Sequence, residues 1–524
     1  MPASEKIITK LRERRQIEAD LRKMLEVGSE PDFKRSAQRI ASLGSQVIPT
    51  IIGNLDRADA RMLAAMGMVA TFLDRAEVTQ ALRQAVLQPE QTDQGRIGAM
   101  TILERFLGQA PDDALLASLA DPDRQAISSL EEVLHQAGEN PAVLVQYIEE
   151  LDRQEPDAVL ALVRALERVG VGSPPSGGGS QVVELLRLMA QDVRDEIAGE
   201  ALQALGAIRS FEAARALQVL RPTLAPSLRP VAERLQRKLQ FSGVAVDPLP
   251  PPDPEWRALA SPVNGLGHQS LWFILENRRT GHAEFLNVLL SDRAGAVEAV
   301  GHSRVPMVMM PARRSLGTLH DIALPDGSGA LLMQEIAFNQ GRRLLREALA
   351  NNRETQIPVA GPLRLLSSWL WGSAGADSLP EKRLPELSQE DAGLLGMSGQ
   401  LLEHPAFITW TARSAATFQA AEEVLRHPNW DRAVWVRRLA EELFDPGIAR
   451  ILSGRLAAMS EWFLLAGEER RARLALVAAN AALERSPQDQ PFLQALVRRD
   501  LERVLQSLEH EHEAGPEADL AQSI

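Results

Sequence analysis

From its start to about residue 240 the chain repeats one pattern. Apolar residues recur with the period of a helix, and Gly, Pro or Asp interrupts them every 12 to 18 residues. A chain punctuated this way folds into paired antiparallel helices. The stretch opening near Asp32 puts Ala37, Ile40, Ala41 and Leu43 on one side and stops at Gly44, and Val47, Ile48, Ile51, Ile52 and Leu55 line the next. Small residues that let a first helix approach its neighbour recur at Ala37, Ala64, Gly98, Ala126 and Ala198, at separations of 27, 34, 28 and 72 residues. The last gap leaves room for one further unit around AVLALVRALERVG and a linker. A single hairpin cannot bury both of its faces, so this period predicts stacking into an α-solenoid over residues 1–243.

The clearest unit is DVRDEIAGEALQALGAIRSFEAARALQVL, residues 192–220. Asp192 is expected to open its first helix, with Val193, Ile197, Ala201, Leu202 and Leu205 as the apolar stripe. Gly206 precedes the turn, and Ala213, Ala216, Leu217 and Leu220 pack from the second helix. These residues resemble the short HEAT repeats of the HEAT/armadillo superfamily, particularly the kind found in phycobilisome lyases, whose pattern runs roughly D-x-x-V-R-x-x-A-x-x-A-L-G-x-I followed by A-x-x-x-L. The register departs from that pattern, because Val193-Arg194 follows Asp192 directly and Gln203-Ala204 lies between Ala201-Leu202 and Leu205-Gly206. The resemblance spans roughly residues 30–240. It implies a helical-repeat shape and a tendency to bind proteins; it does not imply bilin chemistry.

GVGSPPSGGGS at 170–180 has neither a preceding strand nor a following Lys-Ser or Lys-Thr, so it reads as an inter-repeat loop and not a phosphate cradle. A sharper boundary is VAVDPLPPPDPEW, where five prolines in eight residues cannot continue a helix, giving a linker at 244–262. Beyond it the pattern becomes strand-like. SLWFILEN, AEFLNVLLSD and AVEAVGHS, separated by the turns RRTGH and RAG, predict a three-strand antiparallel meander in a small α+β module, 263–371. Apolar residues on both faces of the middle strand demand cover, and a helix from about Gly329 to Asn351 is the natural lid. A linker at 372–388 leads to a C-terminal helical domain, 389–508, with Trp410, Phe418, Trp430, Trp435, Phe444, Trp462 and Phe463 at core-like spacings. An acidic tail, 509–524, is expected to be disordered. The fold class is therefore mainly α, with a HEAT-like solenoid, a central α+β module and a helical C-terminal domain.

Composition removes several functions. No cysteine is present among the 524 residues, which excludes disulfides, Cys-ligated metal centres and thiol nucleophiles. The balance of 57 Lys and Arg against 70 Asp and Glu, a net charge of −13, repels a phosphate backbone and argues against DNA. MPASEKIITKLRERRQIEAD has no apolar signal core, and no long uncharged apolar run follows, so the expectation is a cytoplasmic chain with no membrane partner. Arg far outnumbers Lys, which fits GC-rich coding and a bacterial source.

The candidate chemistry concentrates beyond residue 250, where all eight Trp and eight of the nine His lie. His268, His282, His302 and His320 alternate with Glu276, Glu284, Asp292 and Asp321, a workable ligand set for zinc or iron, yet no metal-site spacing occurs and no metal or cofactor is expected. His320-Asp321 near Ser315 lacks a nucleophile elbow, so no catalytic residue is assigned. The pairs Asp112-Asp113, Asp121 with Asp123, and Glu131-Glu132 fit helix starts and solvated faces. Arg278-Arg279, Arg313-Arg314 and Arg342-Arg343 lie near Trp272, Phe273 and Phe285, an arrangement that suits an Arg-lined protein or anionic-ligand contact and, less well, stacked RNA bases. MVMMPA (307–312) and SSWLWG (367–372) read as loops that either cover a core or form an adhesive patch.

The binding residues assigned are Trp272, Arg313, Arg314, His320, Asp321, Arg342 and Arg343. The expected function is a non-enzymatic scaffold or adaptor that binds protein partners through the solenoid and the appended module. Two other readings stand beside it: an enzyme or small-ligand protein with its site where the central sheet meets the C-terminal helices, and RNA binding by the central module.

Overall fold

Helical period and strand alternation each leave a buried face, and those faces build the molecule. The structure is a computed structural model that describes residues 16–25, 30–88, 91–110, 130, 133–172, 179–323, 329–376, 378–427, 429 and 431–514. It is mainly helical with one six-stranded antiparallel sheet, and packing divides it into two units, Met1–Val133 and Leu134–Ile524. Ala126, Trp430, the acidic pairs at 112–113, 121, 123 and 131–132, residues 173–178 and 515–524 lie outside the described residues.

The first unit holds α1 (Glu30–Ala41), α2 (Ile48–Asn54), α3 (Ala60–Ala70), α4 (Arg75–Leu87) and α5 (Asp93–Thr101), the last running on as a π-turn at Ile102–Phe106. Asp59, Asp74 and Thr92 cap α3, α4 and α5 by accepting a backbone N–H from the first turn, which is why these helices begin where they do. Ala37, Ile40, Ala41, Val47, Ile48, Ile51 and Leu55 are buried as their spacing predicts. Leu43 is the exception: it stands past the end of α1, beside Gly44 at φ +70°, and faces solvent. Gly98 on α5 earns its place by close approach, since a Cβ there would stand 3.1 Å from Leu63.

In the second unit α6 (Ala142–Leu151), α7 (Pro156–Gly172), α8 (Gly179–Met189), α9 (Asp195–Ala207), α10 (Phe211–Leu220) and α11 (Arg229–Phe241) pack on one another, α9 touching α7, α8, α10 and α11. Every apolar position expected to face inward in the 192–220 unit is buried. Asp192 does not cap α9, however. It accepts the backbone N–H and the guanidinium of Arg194 instead, and α9 starts three residues later.

The sheet comprises β1 (Trp256–Ala260), β2 (His268–Asn277), β3 (His282–Ser291), β4 (Gly295–Pro306), β5 (Leu319–Ala323) and β6 (Ala330–Ile336), in spatial order β4-β3-β2-β1-β6-β5. The expected three-strand meander is β2-β3-β4, so the sheet is twice as wide as its sequence pattern indicated. β1 lies inside the stretch read as a proline linker, and β6 occupies the first turns of the expected lid helix. Leu331, Met333 and Glu335 alternate there with Leu332, Gln334 and Ile336, a period of two inside an apolar run short enough to pass for a helix start. The lid helix α12 (Phe338–Thr355) begins only after it, and SSWLWG forms the end of a second helix, α13 (Gly361–Trp371), and not a loop.

Residues Gln389–Glu403 form an extended 3-10 stretch, and α14 (Ala415–Arg426), α15 (Arg432–Leu443), α16 (Pro446–Leu465), α17 (Glu469–Glu484) and α18 (Pro491–Ala514) complete the chain. Phe407, Trp410, Trp462, Phe463 and Phe492 form an aromatic core, whereas Phe418 is exposed. The tail expected from residue 509 is helical as far as Ala514. Buried arginines join these layers. Arg187 of α8 donates to Ser367 Oγ (2.6 Å) and to the carbonyls of Arg364 and Leu365, and Arg364 of α13 pairs with Asp152 beside α6 at 3.0 Å. The α6–α11 layer, the sheet and the C-terminal helices therefore share one body.

Candidate functional site

The two faces of the sheet differ in their cover. On one, Ala258, Phe273, Leu286, Val288 and Ile336 are sealed by α12 and α13, and Leu319 and Leu332 pack against the C-terminal aromatic core. On the other, Leu259, Ile274, Ala283 and Met333 form a small core with Trp272, Phe285, Ile322 and Leu331 only partly buried around it. Among the described residues no α-helix side chain joins this second core. Its cover is the connection between β4 and β5, residues 307–318, which crosses it as a strap.

Two backbone hydrogen bonds and one arginine, itself held in a cluster of four side chains, secure the strap from below. Met307 N–H donates to Gly281 O (3.0 Å), and Gly317 N–H to Glu335 O (2.8 Å), fixing the two ends. Between them Arg257 of β1 donates Nη2 to the Pro311 carbonyl. The same guanidinium forms ion pairs with Glu276 of β2 (2.8 Å) and Glu335 of β6 (3.1 Å), and Glu335 also meets His320 Nε2 at 3.0 Å. All four side chains are buried. Two carboxylates at this depth need the guanidinium: removing one partner of such a cluster costs roughly 3–5 kcal/mol, because a charge is left buried and unpaired.

Strap residues divide by direction. Met307 and Met310 turn in to the Trp272–Phe285 cluster, where the two rings meet edge to face at 5.1 Å. Val308, Met309 and Leu316 turn out and are 92%, 70% and 67% exposed. The MVMMPA run is thus core cover and outward patch at once. Next to the patch Arg313 pairs with Glu255 at 2.8 Å and donates to the Pro254 carbonyl, while exposed Arg314 donates one N–H to Leu319 O.

Of the residues singled out in the sequence, Trp272, His320, Arg313 and Arg314 therefore share this face. Trp272 is half-buried, its Nε1 donating to Ser270 Oγ at 3.1 Å, and Asp321, one position along β5 from His320, is exposed. Arg342 and Arg343 lie on α12, across the sheet from Trp272, and both are buried. Arg342 donates to the carbonyls of Ser373 and Ala374 and lies against the rings of Phe338 and Trp371, and Arg343 pairs with Glu461 (2.6 Å) and Glu347 (2.5 Å). The seven residues do not form one site, and an RNA platform that combines Trp272 with Arg342 and Arg343 is not assembled.

Ser315 Oγ bonds to Thr318 Oγ1, and among the described residues no three His, Asp or Glu side chains are placed to hold a metal. Where the sheet meets the C-terminal helices, buried polar contacts join the two. Trp410 and Trp462 donate Nε1 to Val263 O and Ala260 O, and Arg455 pairs with Asp292 at 2.6 Å while donating to the carbonyls of Gly265 and Leu266.

Sequence reasoning missed Arg257 and Glu335. The signal was present, since an Arg inside the apolar run WRALA and a Glu inside ALLMQEI are charges that a buried strand must pair. The chain matches no known family model, and no curated protein matches its sequence.

Proposed function

We propose that the chain is a non-enzymatic adaptor that holds a protein partner against the strap side of its sheet. The observation that carries this reading is the exposure of Val308, Met309 and Leu316 along the strap. Three large apolar side chains this exposed on one short connection mark a contact surface, and Met adapts to varied partners. Arg313 and Arg314 beside the patch favour an apolar partner segment flanked by carboxylates. Burial of the whole repeat stripe in α9 and α10 supports including HEAT-like repeats, expected over residues 1–243, in the same proposal as a further protein-binding surface. A cytoplasmic location belongs to this reading, since a chain without cysteine needs no oxidising compartment to fold.

Crosslinking in the native host with the wild-type chain and with a Val308→Asp, Met309→Asp, Leu316→Asp variant tests it. The expected result is one stoichiometric partner captured by the wild type and lost by the variant, with the melting temperature unchanged because the three side chains face solvent. Equal capture by both chains, or capture of nothing in stoichiometric amount, rules out the strap as the docking surface.

A further inference from the structure

A second feature lies away from the strap, where the starts of α9 and α11 face the second half of α12. Val193, Asp195, Ala225, Pro226, Ser227 and Arg229 form one wall of an open cleft of about 680 Å³, and Arg346, Ala350, Arg353, Glu354 and Gln356 line the opposite wall. Its shape is fixed at the end of α12. Gln356 closes that helix in the left-handed conformation (φ +56°), and its side chain donates to Val193 O at 3.2 Å, drawing the two walls together.

Arg353 and Arg229 are the unusual occupants. Each is anchored by a single backbone carbonyl, Arg353 Nη1 on Thr223 O (2.6 Å) and Arg229 Nε on Leu224 O (3.2 Å). Among the described residues neither has a carboxylate at ion-pair distance, in contrast to Arg187, Arg257, Arg343, Arg364 and Arg455. Burial, and then the like charge of Arg229, holds the Arg353 guanidinium below the ordinary arginine range, against the weaker pull of Asp195 and Glu354. Two guanidiniums that oppose each other across a cleft, with most of their N–H donors uncommitted, form a receptor for a doubly charged oxyanion. The N-termini of α9 and α11 add to the same field, since neither helix has a side-chain cap. Of the three carboxylates in the lining, Asp195 accepts from Ser227 Oγ at 3.2 Å, Glu347 is taken up by Arg343 and Glu354 is exposed next to Arg353, leaving Asp195 and Glu354 as the groups an anion must stay clear of.

We propose that this cleft binds the phosphate group of a small phosphorylated molecule between Arg229 and Arg353. A phosphate monoester carries about −1.5 to −2 charge at neutral pH, which matches two guanidiniums where a carboxylate would not. The cleft volume falls in the range of small-ligand sites, and Val193, Ala225, Pro226 and Ala350 offer the ester's remainder an apolar wall.

Isothermal titration of the full chain with inorganic phosphate and with phenyl phosphate, at matched ionic strength, tests the assignment. Saturable one-to-one binding of the ester, tighter than that of phosphate, assigns a phosphorylated organic ligand, and binding of inorganic phosphate alone assigns the free ion to the same cleft. Arg353→Met and Arg229→Met each weaken binding by at least about tenfold, and Asp195→Asn tightens it. Ala350→Glu, which keeps helix propensity and touches neither anchor, abolishes it and guards against a folding defect in the Arg variants. No saturable binding of either compound, or undiminished binding in both Arg353→Met and Ala350→Glu, overturns the proposal.

Discussion

Glu284 sits half-buried on β3 opposite the β4 bulge that separates Ala283 from Phe285 in the register, and among the described residues its carboxylate has neither a hydrogen bond nor an ion pair. Burial alone raises its carboxyl above the ordinary value. The sign follows from linkage. A folded-state value above the unfolded one contributes stability that is fully present below the unfolded value and is lost as pH rises through the folded one. Glu284→Gln is therefore expected to raise the unfolding midpoint at neutral pH, and the gain should vanish as pH falls below the ordinary carboxylate range. Urea unfolding of both chains at pH 4 and pH 7 checks it; equal differences at the two values contradict the assignment. His282 and Glu284 line one small cleft with Ser303 and Arg304, so part of the His and carboxylate set read in the sequence does converge. It is a set of two, which the two-residue strand alternation already allows, and His320 faces the opposite side of the sheet.

At the scale of elements, the helices of the repeat region were legible because burial follows a period of 3.6, and the stripe from Val193 to Leu205 is the clearest case. Gly206, expected just before the turn, lies in the last turn of α9 and marks a close helix crossing. A Cβ there would stand 2.5 Å from Leu235 Cδ2 and 3.0 Å from its Cβ, so rotating the leucine side chain does not clear it. Helix propensity favours Ala over Gly by about 1 kcal/mol, whereas overpacking costs roughly 1–3 kcal/mol. The expected net effect of Gly206→Ala is destabilisation of about 1 kcal/mol, read from the urea midpoint; an increase in stability would mean that α9 and α11 can separate freely. The strands β1, β5 and β6 were not legible for a different reason. Each is short, and one begins within residues of a proline run and another runs straight into a helix, so neither length nor boundary distinguishes them. Their pairing is decided by partners far away in sequence, such as Ala258 with Ile336.

For the whole molecule, the sequence indicated helix, sheet and helix in the right order but not how the layers join. The contacts that join them, Arg187 to the 364–367 turn and Arg455 to Asp292, connect residues more than 150 positions apart, and an Arg on an amphipathic helix has the same local signature whether its head meets solvent or a buried carbonyl. The strap carries a consequence of its own. Arg313 and Arg314 offer a tryptic site on an exposed connection whose two ends are pinned by Gly281 and Glu335. Limited trypsin digestion should cut there, giving one fragment that ends after β4 and another that begins before β5. Strand β1 of the first fragment pairs with β6 of the second, and Ala260 accepts from Trp462. The nicked halves should elute together on gel filtration and part only in denaturant; separate elution would show that the strap is a covalent necessity. If they stay together, the chain can be expressed as two polypeptides that recognise each other, a split protein whose reassembly reports on the integrity of its sheet.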